Sequence, residues 1–137
     1  MRVVLDTNVF ISGILKDSIV KEILISDSFD FFMPEYALEE VSKYEKELIE
    51  KAGISEGNFN LIKQLLLENI EIVPEEIIKP YLEKAIKIME TVDIKDSPFL
   101  ACAFAINASG IWSFDKDFLN QDEVRVFSVK EMIEYIY

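Results

Sequence analysis

Short runs of β-branched and aromatic residues recur along this chain, and the segments between them are long enough to form helices. The runs occupy residues 3–5, 31–33, 70–73, 111–114 and 124–127. Helical patterns occupy residues 9–15, 19–26, 34–51, 55–69, 80–90, 98–108 and 128–135. Parallel strands need crossover connections, which are usually helices. The alternation therefore predicts a three-layer α/β/α fold around a mostly parallel central sheet of four to five strands.

The size and composition of the chain predict one globular domain over residues 1–137. The chain has 137 residues, of which 50% are hydrophobic, and only four are glycine. No apolar run approaches the roughly 18 residues of a membrane span. No export signal precedes the first strand pattern, so we expect a cytoplasmic protein with no membrane partner. The single Cys102 lies in an apolar run and is expected to be buried rather than reactive.

Four acidic residues are predicted to meet at one edge of the sheet. Asp6 and Asp115 follow the runs at 3–5 and 111–114 directly. Asp96 precedes a helix that would run antiparallel to the strands, and Glu40 lies within two turns of the start of the helix after 31–33. In parallel α/β sheets, these positions all lie at the carboxyl ends of the strands, where ligands bind. We therefore expect the four carboxylates to be neighbours.

The helical pattern distinguishes Glu40 from the adjacent Glu39. The apolar positions of this helix form one stripe, which contains Ala37, Val41, Tyr44 and Leu48. At about 100° per residue, Glu40 falls roughly 70° from the centre of the stripe, whereas Glu39 lies nearly opposite it. Glu40 is predicted to border the core, and Glu39 is predicted to face water.

The chain has no histidine, so chemistry at this edge must use carboxylates, a metal, hydroxyls or amines. Two carboxylates about 5 Å apart repel by about 3 kcal/mol at an effective dielectric constant near 20. A cluster of them needs either a cation or raised pKa values. Ligands that are all oxygen favour Mg²⁺ or Mn²⁺. Hydrolysis of phosphodiester bonds is the reaction that such a site serves most naturally.

The formal net charge of −12 opposes the binding of nucleic acid. Proteins that bind RNA or DNA usually present a basic face to the phosphates. Divalent cations held by the acidic cluster would reverse the local field and partly remove this objection.

Four segments of the chain resemble the acidic motifs of PIN-domain nucleases. They are LDTNVF at 5–10, LEEV at 38–41, DIKDSPFLA at 93–101 and WSFDKDF at 112–118, and they occur in the family's order across essentially the whole chain. The resemblance implies an endoribonuclease that depends on Mg²⁺ or Mn²⁺, similar to the VapC-type toxins of type II toxin–antitoxin pairs. Its catalytic and metal-binding acids would be Asp6, Glu40, Asp96 and Asp115.

The resemblance also implies supporting residues and partners. Asp117 would be a further metal ligand, and the supporting polar residues would be Asn8, Ser12 and Ser113. Asp93 is acidic as in some family members. The implied partners are single-stranded RNA and an antitoxin protein. A homodimer could use the apolar residues Phe10, Ile14 and Ile19, and topology places Lys16, Lys95 and Lys116 near a bound phosphate.

Other interpretations of the same residues stay open at this point. Asp6 could form an Asx-turn, Asp96 could cap a helix, and Glu40 could be a solvated helix residue. A haloacid-dehalogenase-like aspartyl phosphatase would use Asp6 as nucleophile, but it usually needs a second aspartate where Asn8 stands. A PIN-like binding scaffold without turnover would fit the net charge.

Overall fold

A computed structural model of the protein describes residues 1–15 and 18–137, so the prediction for Lys16 lies outside the described residues. Its sheet contains β1 (Arg2–Leu5), β2 (Asp30–Pro34), β3 (Ile70–Val73), β4 (Gly110–Trp112) and β5 (Val126–Phe127). The strand order is β3-β2-β1-β4-β5, and every neighbouring pair is parallel. The predicted α/β fold with a parallel sheet of up to five strands is confirmed.

Helices flank this sheet. They are α1 (Thr7–Leu15), α2 (Ser18–Leu24), α3 (Glu35–Ala52), α4 (Glu56–Leu67), α5 (Glu75–Met89), α6 (Ser97–Ala105) and α7 (Val129–Ile136). Two short 3₁₀ helices, Ile94–Asp96 and Lys116–Asn120, lie before α6 and after β4. No helix in residues 1–15 and 18–137 is both long and apolar enough to cross a membrane.

Two predicted helix boundaries are wrong by three residues or more, each for a local reason, and the other boundaries lie within two residues of the prediction. Helix α5 begins at Glu75 and not at residue 80, so Pro80 lies inside it. The two glutamates of its first turn interact favourably with the positive end of the helix dipole, which supports the earlier start. Helix α6 ends at Ala105 and not at residue 108. Asn107 has a φ of 52°, and this left-handed conformation ends a helix.

The core lies on both sides of the central strand β1. Val3, Val4 and Leu5 are fully buried, as expected for a parallel strand covered on both faces. Helix α6 packs against α5 and against three strands, β1, β2 and β4. Cys102, in this helix, is buried as predicted, and burial raises the pKa of its thiol.

The residues suggested for a dimer surface do not all lie at the surface. Phe10 and Ile14 are fully buried in the core, so the expectation that they form an interface is wrong. They lie on the face of α1 that packs against the core. The short apolar pattern of α1 did not show which of its faces is buried. Ile19 is half exposed.

The order of the strands reverses between β1 and β4. From β1 the chain proceeds to β2 and β3 on one side, whereas β4 and β5 lie on the other side. Ligands of open α/β sheets bind at such a switch point, at the carboxyl ends of the strands. Just beyond the ends of these strands, the amide of Asp6 donates a hydrogen bond to the carbonyl oxygen of Trp112 at 3.1 Å. The segments after β1 and β4 therefore leave the sheet side by side.

Candidate active site

Asp6 follows β1 and is the first acid of the site. Its side chain is buried, and the hydroxyl of Ser113 donates a hydrogen bond to Asp6 Oδ2 at 2.7 Å. Ser113 Oγ also accepts a hydrogen bond from the amide of Asp115 at 2.9 Å. Burial raises the pKa of Asp6, the bond from Ser113 opposes this shift, and the charges of Asp115 and Glu40 add to it. Ser113 thus connects the acids that follow β1 and β4.

Glu40 reaches the same region from α3. The hydroxyl of Thr7 donates a hydrogen bond to Glu40 Oε1 at 2.7 Å. Glu40 is half-buried and Glu39 is exposed, so the predicted orientation of this pair is confirmed. Sequence reasoning missed Thr7. Its position directly after Asp6, at the start of α1, was the available signal.

Asp96 lies at the end of the first 3₁₀ helix, just before α6. In the part of the chain that the structure describes, its Oδ2 atom is buried without a hydrogen-bond partner. Its side chain makes no capping bond to α6, so capping does not explain this residue. Burial, followed by the charges of Asp6, Asp115 and Asp93, raises the pKa of Asp96 to about 8.

Asp115 and Asp93 each begin a 3₁₀ helix. Asp115 Oδ1 accepts a hydrogen bond from the amide of Asp117 at 2.9 Å, and Asp93 Oδ1 accepts one from the amide of Lys95 at 3.0 Å. Each side chain thereby caps the start of its 3₁₀ helix.

Three carboxylates lie closest together. Asp93, Asp96 and Asp117 each have a carboxylate oxygen within 4.8 Å of the others. In residues 1–15 and 18–137, this is the group that could hold one ion without rearrangement. Asp6, Glu40 and Asp115 are outside this group, and one oxygen of each accepts a hydrogen bond, from Ser113, Thr7 and the amide of Asp117 respectively. Asp93 and Asp117 are therefore stronger candidates for metal ligands than the sequence suggested.

Comparisons with known proteins identify the family. A family model described as PIN domain matches residues 4–131. The chain belongs to the PIN-domain family. Among solved structures, one of VapBC2 from Rickettsia felis bound to a DNA fragment from their promoter has the same fold, with a TM-score of 0.73 and 15% identity. The alignment covers 93% of this chain and 98% of that chain. No curated protein matches this chain.

Membership of the PIN-domain nucleases removes one of the earlier alternatives. A haloacid-dehalogenase-like phosphatase would belong to a different family. The match to the PIN domain over residues 4–131 contradicts that interpretation. Asn8, at the position where that chemistry needs an aspartate, is exposed on α1.

The acidic residues at this edge of the sheet, here called the PIN site, have the chemistry to bind a hard divalent cation. Its donors are all carboxylate oxygens, and one of them, Asp96 Oδ2, is buried without a partner in the described chain. A buried oxygen of this kind costs free energy unless a donor or a cation satisfies it. Burial is also the largest cause of the raised pKa of Asp96, and the neighbouring negative charges add to it by disfavouring the ionised form.

The remaining predicted residues border the PIN site. Asn8 is exposed and Ser12 is half-buried on α1, and neither bonds to any of the acids within residues 1–15 and 18–137. Their supporting role stays a prediction. Lys95 and Lys116 are exposed, each adjacent in sequence to an acid of the cluster.

Proposed function

We propose that this PIN-domain protein is a cytoplasmic endoribonuclease that hydrolyses phosphodiester bonds of single-stranded RNA with Mg²⁺ or Mn²⁺. The observation that carries the proposal is the buried, unpartnered Asp96 oxygen in the middle of a carboxylate cluster at the switch point of the sheet. Such a cluster has little structural value, since repulsion between its members reduces stability.

The acids have distinct tasks in this proposal. Asp6, Glu40, Asp96 and Asp115 would hold the metal, with Asp117 as a further ligand and Asp93 beside it. When bound, the metal would supply a nucleophile at neutral pH and stabilise the charge of the leaving oxygen. Ser113 and Thr7 orient Asp6 and Glu40 through their hydroxyl hydrogen bonds. Such supporting bonds commonly change metal affinity or activity about 10- to 100-fold.

The direct test is cleavage of a set of diverse single-stranded RNAs by the purified protein in Mg²⁺, in Mn²⁺ and in EDTA. We expect cleavage with a metal and none in EDTA. The variants Asp6→Asn and Asp96→Asn should each lower cleavage at least about 10²-fold, because loss of a ligand costs metal as well as positioning.

The neighbouring glutamates of α3 provide a matched control. Glu40→Gln removes a charge from the cluster, whereas Glu39→Gln removes the same charge from the exposed face of the same helix. Only the first should reduce cleavage. Wild-type cleavage by purified Asp6→Asn would reject the site, and no cleavage of any RNA with either metal would favour the binding scaffold.

We also propose that the protein is the toxin of a type II toxin–antitoxin pair. The motif resemblance and the likeness to VapBC2 support this proposal, and the net charge of −12 suits a partner with a basic segment. The test is co-expression with the product of the adjacent open reading frame. A small DNA-binding protein that co-purifies and blocks RNA cleavage would support the pair, whereas a neighbour that neither binds nor inhibits would contradict it.

A further inference from the structure

A cleft of 420 Å³ lies directly beside the acid cluster. It separates the segment after β4 from β5 and the first turn of α7. Asp115, and Ser113, whose hydroxyl bonds to Asp6, also line this cleft. A molecule bound in it would therefore lie next to the carboxylates.

The cleft offers an aromatic surface to a ligand. Phe114 lines it and is 44% exposed. The ring packs edge-on against the fully buried Trp112, with 6.5 Å between the ring centroids and 90° between the planes. Leu119, which is 64% exposed, and Val129 extend the apolar lining. Rings that are supported from behind and open in front are typical platforms for stacked bases.

The cleft carries one cation, Lys116, together with two acids, Asp115 and Glu131. Lys116 lines it and is exposed. Glu131 also lines it, but its carboxylate is paired with Arg125 at 2.8 Å. Lys116 is therefore a cation within reach of a phosphate that approaches the cluster from this side.

A second cleft, at the end of β2, is more acidic. It has a volume of 120 Å³ and lies beside Tyr36, whose pKa is raised by burial and by the charges of Glu40 and Asp96. Three glutamates, Glu35, Glu39 and Glu75, line it with a single lysine, Lys79. Its charge would repel a phosphate.

We propose that the cleft beside β4 and α7 binds the nucleotide adjacent to the scissile phosphodiester. The base stacks on Phe114, and a phosphate of the RNA pairs with Lys116. This inference rests on the proposed ribonuclease function and assigns the substrate contacts that flank its acids.

A spectroscopic test uses Phe114→Trp. The protein is mixed with a short single-stranded RNA in Ca²⁺, which occupies oxygen sites, and a gel verifies that the RNA is intact. A base stacked on the new indole should quench its fluorescence in a saturable manner. Leu61→Trp, on the 61% exposed surface of α4, is the matched control and should show no quenching.

Binding measurements test the two contacts separately. Phe114→Ala should weaken RNA binding about 5- to 100-fold, the range for loss of one stacked base. Lys116→Gln should weaken binding and lower the slope of its salt dependence by about one, whereas Lys116→Arg should restore both. Lys79→Gln, in the second cleft, should change neither. Thermal unfolding of each variant verifies that it is folded.

The outcomes separate this inference from the proposed function. Unchanged RNA binding by Phe114→Ala and Lys116→Gln, with no quenching of Phe114→Trp, would overturn the cleft assignment even if the wild type cleaves RNA. If the wild type cleaves no RNA, the proposed function fails, and the quenching and binding data in Ca²⁺ still decide whether a nucleotide occupies this cleft.

Discussion

Among the carboxylates of the site, Asp96 has the environment that most disfavours its ionised form. One of its oxygens is buried without a partner in the described chain, and it experiences the charges of Asp6, Asp115 and Asp93. Its pKa of about 8, compared with 3.8 for a free aspartate, means that the folded protein without metal keeps this group protonated at neutral pH. Metal binding requires the ionised form, so the proton must leave when a cation binds.

This shift predicts how the stability of the protein without metal depends on pH. Below a pH of about 4, Asp96 is protonated in both the folded and the unfolded state. Between about 4 and 8 only the folded state keeps the proton, so a rising pH favours unfolding. We expect the free energy of unfolding in EDTA, from urea titrations, to fall across this interval more steeply for the wild type than for Asp96→Asn.

The exposed Glu39 provides the control for this measurement. Glu39→Gln removes a carboxylate that lies outside the cluster and should leave the slope close to that of the wild type. Identical slopes for the wild type and Asp96→Asn would contradict the raised pKa of Asp96.

Sequence reasoning placed the acids at one edge of the sheet because Asp6 and Asp115 come after strands, Asp96 precedes a helix and Glu40 lies near the start of one. It could not predict which oxygens would be satisfied. The bonds of Ser113 and Thr7 depend on side chains that are distant in sequence from the carboxylates they orient, and Ser113 is 107 positions from Asp6. The isolation of Asp96 Oδ2 is likewise a property of packing and not of a motif.

At the scale of elements, the end of α3 depends on backbone conformation. Gly53 has a φ of 66° and donates its amide to the carbonyl groups of Ile49 and Glu50. A Cβ atom at this position would meet nothing within 4 Å, so any cost of Gly53→Ala comes from the left-handed conformation alone. We expect a loss of about 1 kcal/mol in the free energy of unfolding, measured by urea denaturation.

Gly57 is the matched position for this prediction. It lies in the first turn of α4, a Cβ atom there would make only an ordinary van der Waals contact with Ser55 Oγ at 4.0 Å, and its φ is not positive. Gly57→Ala should therefore stabilise the protein by up to about 1 kcal/mol. A loss of stability in both variants would show that the helix end is not the cause.

The helices and strands could be predicted from the sequence where their boundaries follow the pattern of apolar side chains. All five strands were located from runs rich in β-branched and aromatic residues, although β3 contains the exposed Glu71, β4 ends at Trp112 and not at residue 114, and β5 begins at Val126 and not at residue 124. The end of α6 was not predicted correctly, because residues 106 and 108 continue the apolar pattern, whereas the left-handed conformation of Asn107 ends the helix. The start of α5 was missed because Pro80 resembles a first-turn residue but lies inside the helix.

At the scale of the whole molecule, the net charge of −12 couples stability to cations. Screening by NaCl reduces general repulsion, but only a divalent ion at the acid cluster relieves the local repulsion there. At roughly 100 times its Kd, Mn²⁺ should raise the melting temperature by about 5–10 °C beyond NaCl of equal ionic strength. Thermal unfolding monitored by circular dichroism measures the difference, and equal effects of the two salts would contradict a specific site.

The most direct test of the account is a calorimetric titration of the metal-free protein with Mn²⁺ at pH 7, repeated in two buffers of different ionisation enthalpy. The wild type should bind Mn²⁺ in a saturable manner and release about one proton, because Asp96 must ionise to become a ligand. In Asp96→Asn, affinity should fall at least about tenfold and the proton release should disappear. Absence of binding by the wild type, or the same affinity and proton release in Asp96→Asn, would contradict the claim that these carboxylates converge to hold a divalent cation.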